Sequence, residues 1–328
     1  MVFSSYSESK IEPVSPLYEG YSTKSAVFNY DDGVWQEYIL LDLLDEYGIK
    51  CTFNFISGKE GSEQPPLQSR KEGQLRRAKE AGDADALAAS DWIDYVERAY
   101  IDKGHEIASH TKEHLPSHLN EGEIAYSSTG AQMVGASTEA EVADIQDGVT
   151  DLESWFAGAD VIGLAWPNGF GTERDDYESD LLPAMKAIGL RYARADESYN
   201  YDLPADWYRW AATCHHNDAP TYASEFVLLD NIGDMKCFFT WGHAYELSDA
   251  GSDASRNWDM IESVMKTLSS DETIWFATNA DIYRYVEATR LLEQTDTAVK
   301  NNSDMTVYCN INGRNVKLGP SETYKIGN

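Results

Sequence analysis

The chain has 328 residues, a net charge of −30 and 42% hydrophobic residues, with a mean hydropathy of −0.49. That length supplies a sizeable core in one large domain or two smaller ones, and no apolar run approaches the roughly 18 residues of a membrane span. A negative field of this size repels nucleic acid and anionic membranes, disfavours strongly acidic polymers as substrates and suits neutral or weakly charged partners.

The opening MVFSSYSESK carries no basic region followed by an apolar stretch. The expected location is therefore the cytoplasm, or the cell exterior after removal of a signal. The four cysteines, Cys51, Cys214, Cys237 and Cys309, are widely spaced without a CxxC pair, which argues against a cysteine-based zinc site. Cys51 and Cys237 lie in strand-like runs and read as small buried hydrophobes.

Residues 26–30 form a short apolar strand that stops at Asp31-Asp32-Gly33. Tyr38, Leu40, Leu41, Leu44 and Tyr47 then recur at helical spacing, with Gly48 as the stop. Residues 51–56 form a second strand, so the order predicts a parallel pair with a right-handed crossover. Residues 58–90 are polar and read as a partly helical surface insertion with a turn at Pro65-Pro66. Asp91 caps a helix through Trp92, Tyr95, Val96 and Tyr100 that ends near Gly104. Residues 105–109 form a short strand leading into His110.

The alternation continues downstream: helix 139–155, strand 161–166, helix 181–188, strand 191–194, strand 235–241, helix 258–268, strand 273–277 and helix 282–292. It predicts a βα barrel or a doubly wound sheet. Residues 305–311 and 316–318 flank Asn312-Gly313 and predict a β-hairpin. The expected organisation is a main domain over 1–296 and a small β appendage over 297–328.

Three features fall where strands end, the place where function collects in βα barrels. Asp31-Asp32-Gly33 offers two carboxylates that can point in different directions. In His110-Thr111-Lys112-Glu113-His114 the i, i+4 spacing would put both imidazoles on one helix face, and such a pair suits a metal. Trp241-Gly242-His243 ends a later strand.

Taken together, Asn29-Tyr30-Asp31-Asp32-Gly33, Ser109-His110-Thr111-Lys112-Glu113-His114 and His243 resemble the motifs of the polysaccharide deacetylases, the NodB-homology group or carbohydrate esterase family 4. The resemblance runs from about residue 25 to 295. It implies an α/β fold, a distorted (β/α)7-type barrel with the small C-terminal β-hairpin appended. It implies a metal-dependent hydrolase that removes N- or O-linked acetyl groups from chitin oligomers, peptidoglycan sugars or acetylxylan. By position it puts the metal ligands at Asp32, His110 and His114, the general base at Asp31 and the general acid at His243. Zinc suits two imidazoles and a carboxylate with a site left open for water, and cobalt or nickel suits the same ligands.

The family's third motif is usually Arg-Pro-Pro-Tyr-Gly, and here residues 165–169 read Ala-Trp-Pro-Asn-Gly. The resemblance makes the Asn168 backbone N–H the oxyanion donor. The motif arginine is absent, and Arg194, ending the next strand, is the expected replacement that orients Asp31. In the fifth motif Trp241 stands where a leucine usually lines the acetyl pocket. Asp206-Trp207 is a loose match to the fourth motif. His215-His216-Asn217-Asp218 reads as a polar, solvent-facing loop. Trp35, Trp166, Tyr245 and Trp258 are candidates for stacking a sugar.

Two rival readings follow from the same residues. The string His110-Thr111-Lys112-Glu113-His114 also fits the inverted zinc-peptidase motif H-x-x-E-H, with Glu113 as base. The altered third motif also allows a carbohydrate-binding barrel without catalysis.

Overall fold

A computed structural model describes residues 12–58, 67–127, 130–230, 233–248 and 257–325. The turn expected at Pro65-Pro66 and the opening ten residues lie outside this set.

The parallel strands are β1 (Lys24–Asp31), β2 (Cys51–Phe55), β3 (Glu106–Ser109), β4 (Gly163–Ala165), β5 (Tyr192–Glu197), β6 (Trp210–Ala212, continued past Thr213 as Cys214–His215) and β7 (Lys236–Gly242). Each pairs with the next in chain order, and β7 returns to pair along the whole of β1. The first half of β6 lies on β5 and its second half on β7. Thr213 bridges the change, its N–H donating to the Phe239 carbonyl at 2.7 Å. The result is a nearly closed barrel of seven staves, and a two-residue strand, β8 (Trp275–Phe276), pairs with the start of β1. All eight residues of β1 are buried, as a parallel strand covered on both faces requires.

Helices α1 (Glu37–Tyr47), α5 (Thr138–Trp155), α6 (Leu182–Ala187), α7 (Ala219–Val227) and α9 (Trp258–Ser269) wrap the staves. α9 buries Met260, Ile261, Val264, Met265 and Leu268, one apolar stripe at helical spacing. Each such side chain contributes roughly 1.5–3 kcal/mol when fully buried. The polar segment between β2 and β3 holds α2 (Leu67–Ala81) and α3 (Ala84–Ala88), followed by α4 (Trp92–Val96) and a wider turn over Glu97–Ile101. α10 (Asn279–Arg290) starts three residues before its predicted position because Thr278 and Asp281 form a capping box.

The predicted hairpin is present as Val307–Ile311 and Arg314–Leu318, turning at Asn312-Gly313. It does not stand alone. The strand Ser15–Leu17 pairs with it, and Leu292–Gln294, Ala298–Asn301 and Thr323–Lys325 form a second small sheet. Ala288 of α10 joins Val299, Val307, Cys309, Ile311 and Leu318 in the core under both sheets. Among the described residues no helix is long and apolar enough to cross a membrane. All four cysteines are buried and free.

Candidate active site and metal centre

The carboxyl ends of the strands surround a cleft of about 710 Å³. β1 delivers Asp31, and the chain then turns through Asp32 and Gly33, with φ of +82° and +66°. A left-handed aspartate is a strained residue, costing on the order of 1–3 kcal/mol, and such strain concentrates at functional sites. The turn separates the two carboxylates: Asp31 faces Arg194 and Asp32 faces the histidine pair.

The histidines do not lie on a helix, contrary to the sequence expectation. Residues 110–118 are irregular, because Thr111 and His114 both take positive φ, +61° and +57°. The loop still brings the imidazoles together, with ring centroids 4.8 Å apart. His110 Nε2 lies 3.5 Å and His114 Nε2 3.7 Å from Asp32 Oδ1. That oxygen is buried with no hydrogen-bond partner, and the three donor atoms lie within 4.8 Å of one another. His110 Nδ1 sits 2.8 Å from the Ala165 carbonyl, so Nδ1 carries the proton and Nε2 offers its lone pair. Burial, aided by the neighbouring His114 ring, outweighs the pull of Asp31 and lowers the His110 pKa to about 4. An orphaned carboxylate oxygen facing an imidazole held neutral at pH 7 fits a divalent cation such as zinc.

Asp31 is 1% exposed. Arg194 grips it with both ends, Nη1 to Oδ1 at 2.8 Å and Nη2 to Oδ2 at 2.5 Å. Asn54, opposite Asp31 in the β1–β2 register, donates to Oδ1 at 2.8 Å, and Asn29 accepts from both Asn54 and Arg194. Burial would raise the Asp31 pKa, but Arg194 and His110 hold it far below the usual carboxylate range. Trp241 stacks on the guanidinium at 4.4 Å, and its indole N–H donates to Glu197 at 2.9 Å.

On the other side, His243 Nε2 is 3.9 Å from Asp31 Oδ2. Its Nδ1 faces Glu246 Oε2 at 3.3 Å, and its backbone N–H donates to the same oxygen at 3.1 Å. His215 Nε2 and His216 Nε2 each lie 3.2 Å from that oxygen too. Burial opposes charge on His243, yet Glu246, Asp32 and Asp31 together push its pKa up to about 9. The three imidazoles hold Glu246 well below the usual carboxylate range despite its burial. The loop reading of residues 215–218 is therefore corrected: Cys214–His215 is strand and His216 is fully buried. Gly242 must stay small here, since a Cβ would sit 2.2 Å from the His216 ring.

Asn168, at φ +52°, places its side-chain amide 2.9 Å from His114 Nδ1. Among the described residues its backbone N–H donates to no protein group. Gly169 follows at φ +117°, where a Cβ would meet His118. Trp35, Trp166 and Tyr245 line the cleft, although Trp166 is only 2% exposed. Trp258 does not line it; its N–H faces Ser248. Asp206 caps the short turn Trp207–Arg209 and Trp207 is packed in the core, so neither lines the cleft. Glu113 does not line it either, and without a helix the inverted-peptidase geometry fails. Sequence reasoning missed Glu246, although H-x-x-E spacing across the short α8 (Ala244–Ser248) was there to be read, and missed Asn54, which only the strand register reveals.

Comparison with known families gives one match: the family described as polysaccharide deacetylase covers residues 19–193. The chain belongs to that family. Polysaccharide deacetylases are hydrolases acting on amide or ester bonds. No curated protein matches this deacetylase-family chain. Among solved structures it is similar to a peptidoglycan deacetylase from Bacillus subtilis, at 16% identity over 81% of this chain and 93% of that one, TM-score 0.41. It is similar to a family 4 carbohydrate esterase from Streptomyces lividans, at 11% identity over 77% and 92%, TM-score 0.39. It is also similar to a family 4 pseudoenzyme from Bacillus anthracis, at 13% identity over 79% and 65%, TM-score 0.42.

Proposed function

We propose that this polysaccharide deacetylase removes N- or O-linked acetyl groups from a poly- or oligosaccharide, with a divalent cation, zinc first among the candidates, held by Asp32, His110 and His114. One observation carries the reading: a cation-ready triad at the cleft floor lies beside a clamped carboxylate, Asp31, and an imidazole, His243, 3.9 Å from it. When bound, the cation supplies Lewis-acid polarisation of water and of the acetyl carbonyl.

The chain's own residues do the rest. Asp31, ionised and fixed by Arg194, accepts a proton as water attacks the carbonyl carbon. The free Asn168 N–H stabilises the oxyanion that forms. The C–N or C–O bond then breaks as His243 Nε2 gives its proton to the departing amine or hydroxyl, releasing acetate. Glu246 keeps the His243 ring aimed and charged. Trp241 covers the Arg194–Asp31 pair from water, and Trp166 forms wall behind the acetyl group.

The test is acetate release from N-acetylglucosamine oligomers, peptidoglycan fragments and acetylxylan, with chelator and with zinc, cobalt or nickel restored. Activity that stops on chelation, returns with metal and vanishes in Asp31→Ala is expected. Acetate release that ignores chelator and survives Asp32→Ala would sink the proposal.

A further inference from the structure

The insertion between β2 and β3 brings a helix to the cleft. Its rotation is fixed by two buried side chains. Gln74 accepts from the Trp92 indole at 2.7 Å and donates to the Tyr100 hydroxyl, and Ala78 is fully buried. That leaves Gly73, Arg76 and Arg77, three and four residues apart, lining the cleft wall. Gly73 presents open space there, with nothing within 4 Å of where a Cβ would stand. Arg77 lies over the Trp35 ring at 5.0 Å, and Trp35 is only three residues beyond Asp32 in the chain.

The charges on this wall are unlike the rest of the molecule. Acidic residues outnumber basic ones 56 to 26 in the chain, yet among the described residues the acidic ones lining the cleft are Asp31 and Asp32 alone. Asp31 is spent on Arg194, and Asp32 belongs to the cation site. Among the described residues Arg76 has only a loose, exposed contact with Glu80 at 3.9 Å, and Arg77 makes no ion pair. Two guanidinium groups with no close carboxylate among the described residues, one of them over an aromatic ring, therefore line a cleft in a protein of charge −30. A concave wall of one sign focuses the field on a ligand of the other, and guanidinium forks suit carboxylates in particular.

Resting on the deacetylase reading, we infer that the cleft takes a saccharide bearing a carboxylate, such as a uronic or lactyl group. The sugar lies in the cleft beside Trp35, and the carboxylate is held by Arg76 and Arg77. The overall acidity of the chain pointed to neutral polymers; the local wall reverses that sign and excludes acidic polymers only from the remaining surface.

The experiment pairs neutral oligosaccharides with counterparts of equal length carrying one carboxylate per repeat. One pair is N-acetylglucosamine oligomers with and without lactyl ethers; the other is acetylated xylo-oligosaccharides with and without a glucuronic branch. The full chain should prefer the acidic member in kcat/KM by about tenfold at low salt, through KM. In the double variant Arg76→Ala/Arg77→Ala the ratio should fall close to one, and in Arg76→Glu/Arg77→Glu it should invert. Both positions are exposed, so folding is not at stake. Binding of the same oligosaccharides, measured by calorimetry, should show the same ratios without needing turnover. Charge-selective binding without acetate release would strike the deacetylase reading and leave this inference standing. Equal binding of both members, or a preference that survives the double variant or 1 M salt, would overturn the inference alone.

Discussion

Asp32, His110 and His114 bring two imidazoles and a carboxylate within 4.8 Å of one another, and so do His215, His216 and Glu246. By residue type the two groups are interchangeable. What lies behind His110 and behind His215 separates them. His110 Nδ1 meets a carbonyl oxygen, which can only accept. His215 Nδ1 meets the N–H of Asn217 at 3.4 Å, which can only donate. The first arrangement leaves a lone pair on Nε2 pointing at Asp32; the second leaves a proton on Nε2 pointing at Glu246. Glu246 has further claims on its oxygen from His243, whereas Asp32 Oδ1 has none. The first group is wired to receive a cation, and the second is wired to hold a carboxylate still.

The comparison is broken most directly by metal counting. One cation per chain is expected by elemental analysis after loading with zinc and desalting. Asp32→Ala should bring it near zero and cut acetate release by at least about a thousandfold, while Glu246→Gln retains it. Two cations per chain, one of them lost with His215→Ala, would show that the second group is a metal site after all.

Arg194 gives the next largest effect. Asp31 and Arg194 are 1% and 4% exposed, so Arg194→Ala strands a carboxylate in the barrel. Breaking a buried pair from one side costs roughly 3–5 kcal/mol. Asp31 has a lowered folded pKa, so the pair's stabilisation is present above the unfolded value of about 3.9 and is lost as pH falls through the folded value. The variant's deficit in urea unfolding should therefore be largest near neutrality and shrink in acid. A deficit that does not change with pH would mean that the loss is packing against Trp241 rather than charge.

Smaller still is Asn168. Among the described residues its side-chain Nδ2 is the side-chain partner of His114 Nδ1, and an amide N–H can only donate to that nitrogen. A partner that accepts from Nδ1–H instead usually tightens metal binding by about 10- to 100-fold, since it leaves the Nε2 lone pair for the cation. Asn168→Asp, which can only accept there, should do so in a chelator competition, and Asn168→Ala, which removes the opposing donor without adding an acceptor, should gain less. Affinity unaltered in Asn168→Asp would reduce the residue to its backbone role.

These contrasts also show what could be read from residue order. All the staves but β6 were legible because each is a short apolar run between helical repeats, and a parallel barrel takes its strands in chain order. Arg194 was legible as a strand-end cation on a neighbouring stave, and it does reach Asp31. The shape of the histidine loop was not, because i, i+4 spacing cannot reveal that Thr111 and His114 turn left-handed. His216 was misplaced in solvent because Thr213 carries the strand across from β5 to β7 without any turn residue to mark it. The N-terminal strand under the C-terminal hairpin was also hidden, since pairing Ser15–Leu17 with Val307–Ile311 spans almost the whole chain.

The finest test of the comparison is a shift rather than a loss. Glu246 raises the His243 pKa together with Asp32 and Asp31, to about 9 when no cation offsets Asp32. A bound cation cancels part of the Asp32 contribution, so in the loaded protein the value is lower. The acid must be protonated to act, so kcat should fall as pH rises through that value. Glu246→Gln keeps the shape of the side chain and removes its charge, which lowers the pKa. The alkaline limb should therefore move toward acid, with metal content unchanged. Glu246→Asp, which keeps the charge on a shorter arm, should move it less. An unmoved limb in Glu246→Gln would mean that the carboxylate merely packs the loop, and the contrast between the two clusters would then lose its functional half.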